Sequence, residues 1–345
     1  MQIDPKNADS IKPIAIVNFN HANYLYITYS VTSTCNYSCN YCWPAAHDGR
    51  YRFPADLDLI CSNLEYLIST YKDSFNKTNV RLTINGGEPT LWPELGEFVK
   101  RIHESTGCRI TLNTNGSRTI RWWKEYADYF DDIQVSVHRE QVNVDHIKQL
   151  LDLIYLNTDT FCGAQVLMDP LAWDDSVSIL NQLVEHPTPW LVKTALITDP
   201  SSGAVMPNYQ TNHLDFMRDT VKKRPPEDYI NSMKASGKID ETDKKEAKIV
   251  FSNGAEEPYN TFRLMENGWN KFYGWDCNVG IDRLGITYSG DIEGNCGEKV
   301  FNTVLNINDP EFVNKFKSNM ITTIKCKKIY CDCTSDIRIT KKKHV

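Results

Sequence analysis

Strand-like and helix-like spacing of apolar residues alternate along the chain from residue 24 to about residue 200. Residues 24–31, YLYITYSV, are aromatic and β-branched, which predicts a buried strand. Pro54 then opens a stretch in which Leu57, Ile60, Leu64, Leu67, Ile68 and Tyr71 recur at helical spacing, the stripe of an amphipathic helix. Residues 80–84 predict a strand, a Gly-Gly turn follows, and Leu95, Phe98, Val99 and Ile102 share one face of the next helix. The beat repeats with strand 109–112, helix 120–130 and strand 133–137. It continues with a helix marked by Val144, Ile147, Leu150, Leu151 and Ile154, then strand 163–168, helix 173–184 and strand 190–197. Such alternation implies an α/β fold with parallel strands and right-handed crossovers. About six units fit either an incomplete barrel or a doubly wound sheet, and periodicity does not choose between them.

The alternation stops after Pro200. Residues 201–212 read as a loop, and residues 222–248 are charged and poor in apolar side chains, which predicts a linker or surface insert. From about residue 248 short strands and turns return, with GDIEGN as a tight loop. The expected organisation is an N-terminal extension (1–22), an α/β domain (23–200), a linker or insert (201–262) and a small second domain (263–345).

Composition agrees with one large domain and a smaller one: 345 residues, 41% hydrophobic and 24% charged. A net charge of -6 argues against a general nucleic-acid binder, which carries a basic face. No apolar run approaches the ~18 residues of a membrane span. The N-terminal MQIDPKNADSIKP has no apolar core, so no signal peptide is expected, and the cytoplasm is the expected compartment. Thiols stay reduced there, so the 11 cysteines call for a role other than disulfides.

Their placement suggests one. Cys35, Cys39 and Cys42 fall within CNYSCNYC, directly after the first strand, and Cys277, Cys296, Cys326, Cys331 and Cys333 gather near the C-terminus. Three thiolates on a short loop suit three corners of an iron–sulfur cubane, leaving one iron open. Zinc is the alternative, with His47 as a fourth ligand. Cys277 and Cys296 bracket a predicted β-hairpin with Gly290 in its turn, and a helix-like stretch at 311–317 precedes CKKIYCDC. That layout suits a four-thiolate cluster or a zinc ribbon. Cys61, Cys108 and Cys162 sit inside apolar patterns and read as packing residues.

The CxxxCxxC loop, with aromatic Tyr41 before its last cysteine, resembles the signature of the radical S-adenosylmethionine (SAM) superfamily. Further matches extend the resemblance over the first 200 residues. Gly86-Gly87-Glu88-Pro89, after the second strand, resembles that family's GGEP motif, whose glycines let the backbone approach SAM. Asn113-Thr114-Asn115-Gly116 resembles its TNG segment, at a strand end where barrel sites lie. Ser136-Val137-His138 matches a position whose polar side chains contact SAM. Many relatives have an acidic residue in place of His138, so SAM contact, substrate contact and a plain loop histidine all stay open. Gln165 and Met168 either line the adenine side or pack in the core.

The resemblance implies a partial (β/α)6 barrel in which Cys35, Cys39 and Cys42 hold a [4Fe–4S] cluster and SAM chelates the open iron. Reductive cleavage would give methionine and a 5′-deoxyadenosyl radical, which abstracts hydrogen from a substrate held close and dry. The C-terminal layout resembles the twitch domain, a shortened SPASM domain carrying one auxiliary [4Fe–4S] cluster. Its ligands would be Cys277 and Cys296 with two or three of Cys326, Cys331 and Cys333, although the CxC end departs from the commoner CxxC. Twitch relatives act on aminosugars or nucleotides, and SPASM relatives mostly modify peptides. About twenty residues precede the first strand, too few for a winged-helix peptide-recognition domain. The expected substrate is therefore a small sugar, nucleotide or amino-acid derivative. A short-peptide maturase, making epimerisations or crosslinks, is the alternative. A zinc-stabilised binding protein without catalysis is the rival of another class. The enzyme reading also implies a reductant such as flavodoxin or ferredoxin, with neither nucleic acid nor membrane as partner.

Overall fold

The computed structural model describes residues 12–18, 22–198, 205–238, 247–258, 264, 267–294, 296–329, 331 and 336–343. Its first elements are β1 (Pro13–Val17), β2 (Tyr24–Ser30), α1 (Leu57–Phe75), β3 (Asn79–Asn85), α2 (Leu95–Thr106), β4 (Arg109–Thr114), α3 (Ile120–Tyr126) and β5 (Asp132–Val137). Next come α4 (Val144–Asn157), β6 (Phe161–Leu167), α5 (Trp173–Val184), β7 (Leu191–Ala195), α6 (Thr211–Met217), β8 (Val221–Lys223) and α7 (Glu227–Ala235). The rest are β9 (Lys248–Phe251), β10 (Glu256–Pro258), β11 (Asp276–Cys277), β12 (Arg283–Ile286), β13 (Asp291–Glu293), β14 (Leu305–Asn306), α8 (Phe312–Lys317), β15 (Ile324–Lys325) and β16 (Lys341–Lys342). Two compact units divide the chain: Met1–Thr28 with Ser62–Arg81 and Glu241–Val345, and Tyr29–Cys61 with Leu82–Asp240. No helix among the described residues is long and apolar enough to cross a membrane.

The unit of residues 29–61 and 82–240 is an α/β layer on a mainly parallel sheet. Its strands follow the order β2-β3-β4-β5-β6-β7-β8. β4 to β7 pair in parallel, and β8 closes antiparallel on β7. Each central strand is two-faced. Ile110 and Leu112, then Ile133, Val135 and Val137, then Cys162, Ala164 and Val166 are all buried. The helices present matching stripes, Leu95, Phe98, Val99 and Ile102 on α2 and Ile147, Leu150, Leu151 and Ile154 on α4. Each fully buried side chain of this size stabilises the layer by roughly 1.5–3 kcal/mol. The opposite strand face carries Thr111, Asn113, Gln134, Ser136, Gln165 and Lys193, all only half-buried. Register sets Asn113 beside Gln134, and Ser136, Gln165 and Lys193 in one row. The sheet thus turns its oily side to helices and leaves a polar side partly open.

The region expected as linker or insert contains α6, β8 and α7. β8 is an edge strand whose three residues are half-buried, and α7 buries Met233. Such elements carry little of the apolar periodicity that announces a strand or helix. Likewise β1 lies inside the stretch expected as an extension.

The other unit contains an antiparallel sheet ordered β10-β9-β1-β16-β11-β15, which joins strands from both ends of the chain. Its core is built from Ile16, Ile249, Phe251, Leu264, Phe272, Trp275, Cys331 and Ile337. A second run, β14-β13-β12-β2, contains the expected hairpin, with Gly290 at φ 88° in its turn. Asn63 on α1 ties to this run by donating to the Ile307 and Asp309 carbonyls at 2.9 and 3.1 Å. A fully buried Lys77–Asp282 ion pair at 2.7 Å adds a further tie.

Candidate functional site

The loop leaving β2 folds back on itself before it reaches α1. The Ser33 amide donates to the Tyr51 carbonyl at 2.9 Å, and the Thr32 hydroxyl does the same at 2.9 Å. Ser33 Oγ donates to Asp48 at 2.7 Å. These bonds close residues 33–51 into a compact loop carrying Cys35, Cys39 and Cys42. Cys39 is buried, whereas Cys35 and Cys42 are half-buried. Burial pushes all three thiols up, Cys39 to about 12 with further pressure from Glu140 and Cys42. Cys35 and Cys42 lie close enough for each to be felt by another member of the triad. Thiols in such surroundings ionise when a metal supplies positive charge.

The GGEP turn locks onto this loop through backbone. Gly87 N–H donates to the Thr32 carbonyl at 2.7 Å, and Glu88 N–H to the Thr34 carbonyl at 2.8 Å. A Cβ on Gly86 would stand 2.5 Å from Thr32 O, and one on Gly87 would stand 2.3 Å from Thr34 O. The glycines therefore serve a close approach between two chain segments, whatever else they meet.

Glu88 is completely buried, and its carboxylate organises the neighbouring strand end. Oε1 accepts from the Thr90 amide at 3.0 Å, from the Thr90 hydroxyl at 2.6 Å and from the Thr114 hydroxyl at 2.6 Å. Oε2 accepts from the Asn115 amide at 2.6 Å. Burial raises the Glu88 pKa, and these donors oppose the rise. Pro89 begins the 3₁₀ turn that Glu88 caps. Asn115, so positioned, donates its side-chain amide to Asn36 at 2.9 Å and reaches Cys35 Sγ at 3.9 Å.

From β5, His138 stacks on Tyr41 with ring centroids 5.9 Å apart, and its Nδ1 lies 3.3 Å from the Tyr41 hydroxyl. Burial holds its imidazole well below the ordinary range, to about 4, against the opposing pull of Glu140. Glu140 had no signal in the sequence beyond lying two residues past His138. Its carboxylate accepts from both the amide and the side chain of Asn40 at 3.0 Å, pinning the cysteine loop from the β5 side. Asn36 was missed as well, and Thr114, named only as part of the TNG segment, is placed against Glu88 by the fold.

The structure thus gathers Cys35, Cys39, Cys42, Tyr41, Gly86, Gly87, Glu88, Pro89, Asn115 and His138 through direct contacts. Asn113, Ser136 and Gln165 lie on the polar strand face, the last two in register. Met168 is fully buried and continues the alternation of Cys162, Ala164 and Val166, which is the packing alternative. Cys61, Cys108 and Cys162 are buried too.

In the other unit Cys277, Cys296, Cys326 and Cys331 line one small, partly open cavity. Val279, Glu298, Ile324, Lys328, Ile339 and Lys341 complete its wall. Cys333 lies outside the described residues. Among the described residues no three His, Cys, Asp or Glu side chains converge tightly enough to chelate a single ion. A cubane is held differently, with each thiolate on its own iron.

Residues 29–154 match the model of the Radical SAM superfamily. Over that stretch, which holds the cysteine loop, the chain is similar to that superfamily. It is 35% identical over 118 residues to GTP 3′,8-cyclase of Haemophilus ducreyi, covering 33% of each chain. With GTP 3′,8-cyclase of Actinobacillus pleuropneumoniae serotype 7 it shares 32% identity over 138 residues, covering 38% of each. The match thus spans little more than a third of these curated relatives. SuiB of Streptococcus suis, in a structure bound to S-adenosylmethionine, superposes with a TM-score of 0.50 at 16% identity, over 86% of this chain and 68% of that one. That likeness concerns the fold.

Proposed function

We propose that the chain is an enzyme that cleaves SAM reductively and abstracts hydrogen from a small polar substrate, with an auxiliary [4Fe–4S] cluster in its second unit. The observation that carries this reading is the cysteine loop, held from β3, β4 and β5 by Glu88, Asn115, Glu140 and His138. The chemistry of the donor set suits a cluster, because three thiols share one short loop. Cys35, Cys39 and Cys42 would hold that cluster. When bound, it supplies the electron that splits SAM into methionine and a 5′-deoxyadenosyl radical. The chain's own residues position and shield. Backbone groups of residues 86–89, with Asn115, Ser136 and His138, would bind SAM's polar ends. Tyr41 and His138 would wall the site, and the polar strand face with Asn113, Gln165 and Lys193 would receive the substrate.

The half-buried polar lining supports a sugar, nucleotide or amino-acid derivative, since a pocket with few convergent polar groups recognises such molecules by hydrogen bonds. The name of the GTP cyclases supports a nucleotide within that group. Four cysteines around one cavity support the auxiliary cluster, which would take up an electron from the substrate radical or anchor the substrate. A flavodoxin- or ferredoxin-type reductant would complete the cycle. Anaerobically reconstituted enzyme with SAM and a reductant should release 5′-deoxyadenosine faster when the right substrate class is added. Deuterium from labelled substrate should appear in that nucleoside. A colourless, zinc-filled protein that never cleaves SAM would sink the proposal.

A further inference from the structure

The polar face of the parallel sheet holds side chains that the fold leaves unsatisfied. Asn113 on β4, Ser136 on β5, Gln165 on β6 and Lys193 on β7 are all half-buried. Among the described residues none of these side chains has a hydrogen-bond or ion-pair partner. Other polar side chains of the same strands are tied down, Gln134 to Asp132 at 2.5 Å and Thr114 to Glu88 at 2.6 Å. Register aligns Ser136, Gln165 and Lys193 in one row, on successive strands roughly 4.8 Å apart. Half-buried polar groups normally find partners, either in the protein or in what the protein binds. A row without any is a surface prepared to hydrogen-bond a ligand.

Lys193 gives that surface its charge. Its neighbours across the sheet, Gln165 on one side and Val221 on the other, are neutral. The carboxylates at the strand ends are engaged elsewhere: Glu88 by Thr90, Thr114 and Asn115, Glu140 by Asn40, and Asp169 by Arg139. Asp132 begins β5, roughly 13 Å down the strand from Ser136. Lys193 also lies two strand spacings from Ser136, roughly 10 Å along the sheet. The row therefore runs from Ser136, on the side assigned to SAM, to an ammonium well away from it. We propose that Lys193 anchors an oxyanion of the substrate, a carboxylate or a phosphate, with Gln165 hydrogen-bonding beside it. This rests on the SAM-cleaving reading given above and narrows its substrate to an anion. An ammonium donating to an oxyanion makes a bond about twice as strong as a neutral one, and partial exclusion of water strengthens it.

The probes are matched pairs: guanosine and its monophosphate, glucosamine and its phosphate ester, N-acetyltyrosinamide and N-acetyltyrosine. Each is titrated by calorimetry into the anaerobically reconstituted full chain, with SAM bound and no reductant, so that SAM stays intact. In at least one pair the charged member should bind at least about tenfold more tightly, and added salt should shrink the gap. The pairs that show it tell phosphate from carboxylate. Lys193→Met and Lys193→Gln should each erase the preference, while Lys193→Arg should keep most of it. A parent with no preference in any pair, or with no binding of any probe, overturns the assignment. So does a preference that survives in both neutral variants. An equal loss of affinity for the uncharged member marks a packing role, and an equal rise in the dissociation constant of SAM assigns Lys193 to SAM; either overturns it too. A chain that binds no SAM, and cleaves none when reduced, defeats the SAM-cleaving reading itself. That result is distinct from a SAM-bound chain indifferent to oxyanions.

Discussion

Glu88 has no exposed surface, and four donors converge on its two carboxylate oxygens. Removing a buried acceptor strands its donors, each at roughly 1–3 kcal/mol. Glu88→Ala should therefore cost at least ~3 kcal/mol, read as a lower urea midpoint at unchanged slope. Glu88→Gln keeps one acceptor oxygen and lets the threonine hydroxyls turn, so about half that loss is expected. Equal losses would mean that the carboxylate merely fills space. His138 makes a second residue-scale prediction, through pH. Its folded pKa of about 4 lies below the ordinary 6.5. Above the ordinary value both folded and unfolded forms are neutral and no penalty exists. As pH falls below it, the unfolded chain takes up a proton that the folded chain resists, so stability is lost. Between pH 7 and pH 5 the metal-free chain should lose about 2 kcal/mol through this residue. His138→Gln should flatten that part of the curve, as measured by urea unfolding at each pH. A variant with the parent's slope would assign the pH dependence to other groups.

Gly86 and Gly87 act on the scale of the element, because they let one turn dock on another. The oxygens that would collide with a Gly87 Cβ, on Thr34 at 2.3 Å and on Ala46 at 2.8 Å, belong to backbone and cannot rotate away. Gly87→Ala should thus part the cysteine loop from the end of β3, at about 1–3 kcal/mol of overpacking. The expected readout is a loss of about four irons per chain after reconstitution, with the C-terminal site still loaded. Full iron content would show that the loop can relax. The GGEP motif was readable as a place of close backbone approach. The partner that the fold supplies, the carbonyls of Thr32 and Thr34, was not, since it depends on how residues 33–51 close upon themselves. Legibility followed the same division elsewhere. The strands and helices between residues 24 and 200 announced themselves because each buries one face against another layer. β8 and α7 did not, since an edge strand of Val221, Lys222 and Lys223 buries little. β1 has the right composition, but its neighbours β9 and β16 lie hundreds of residues away, and no local pattern encodes that pairing. Lys341, buried on β16, is placed beside Cys277 by the sheet alone, a pairing that no local pattern encodes.

At the scale of the whole molecule, the two cysteine sets belong to different compact units: residues 35–42 to the α/β unit, and Cys277, Cys296, Cys326 and Cys331 to the one holding both chain ends. Each set is fixed by bonds within its own unit, so their losses should separate. The full chain should carry about eight irons after anaerobic reconstitution. Converting Cys35, Cys39 and Cys42 to Ala should leave about four and abolish 5′-deoxyadenosine formation, since no open iron remains for SAM. Converting Cys277 and Cys331 to Ser should also leave about four, but with the opposite functional consequence. SAM cleavage should persist, because the loop held by Glu88, Asn115 and Glu140 is untouched, while conversion of substrate to product should fall at least about tenfold. Iron analysis, nucleoside release and product yield measured on the same three proteins distinguish the two losses. If the Cys277 and Cys331 variant formed product at the parent's rate, the second unit would have no part in turnover, and its cysteines would be structural ligands alone.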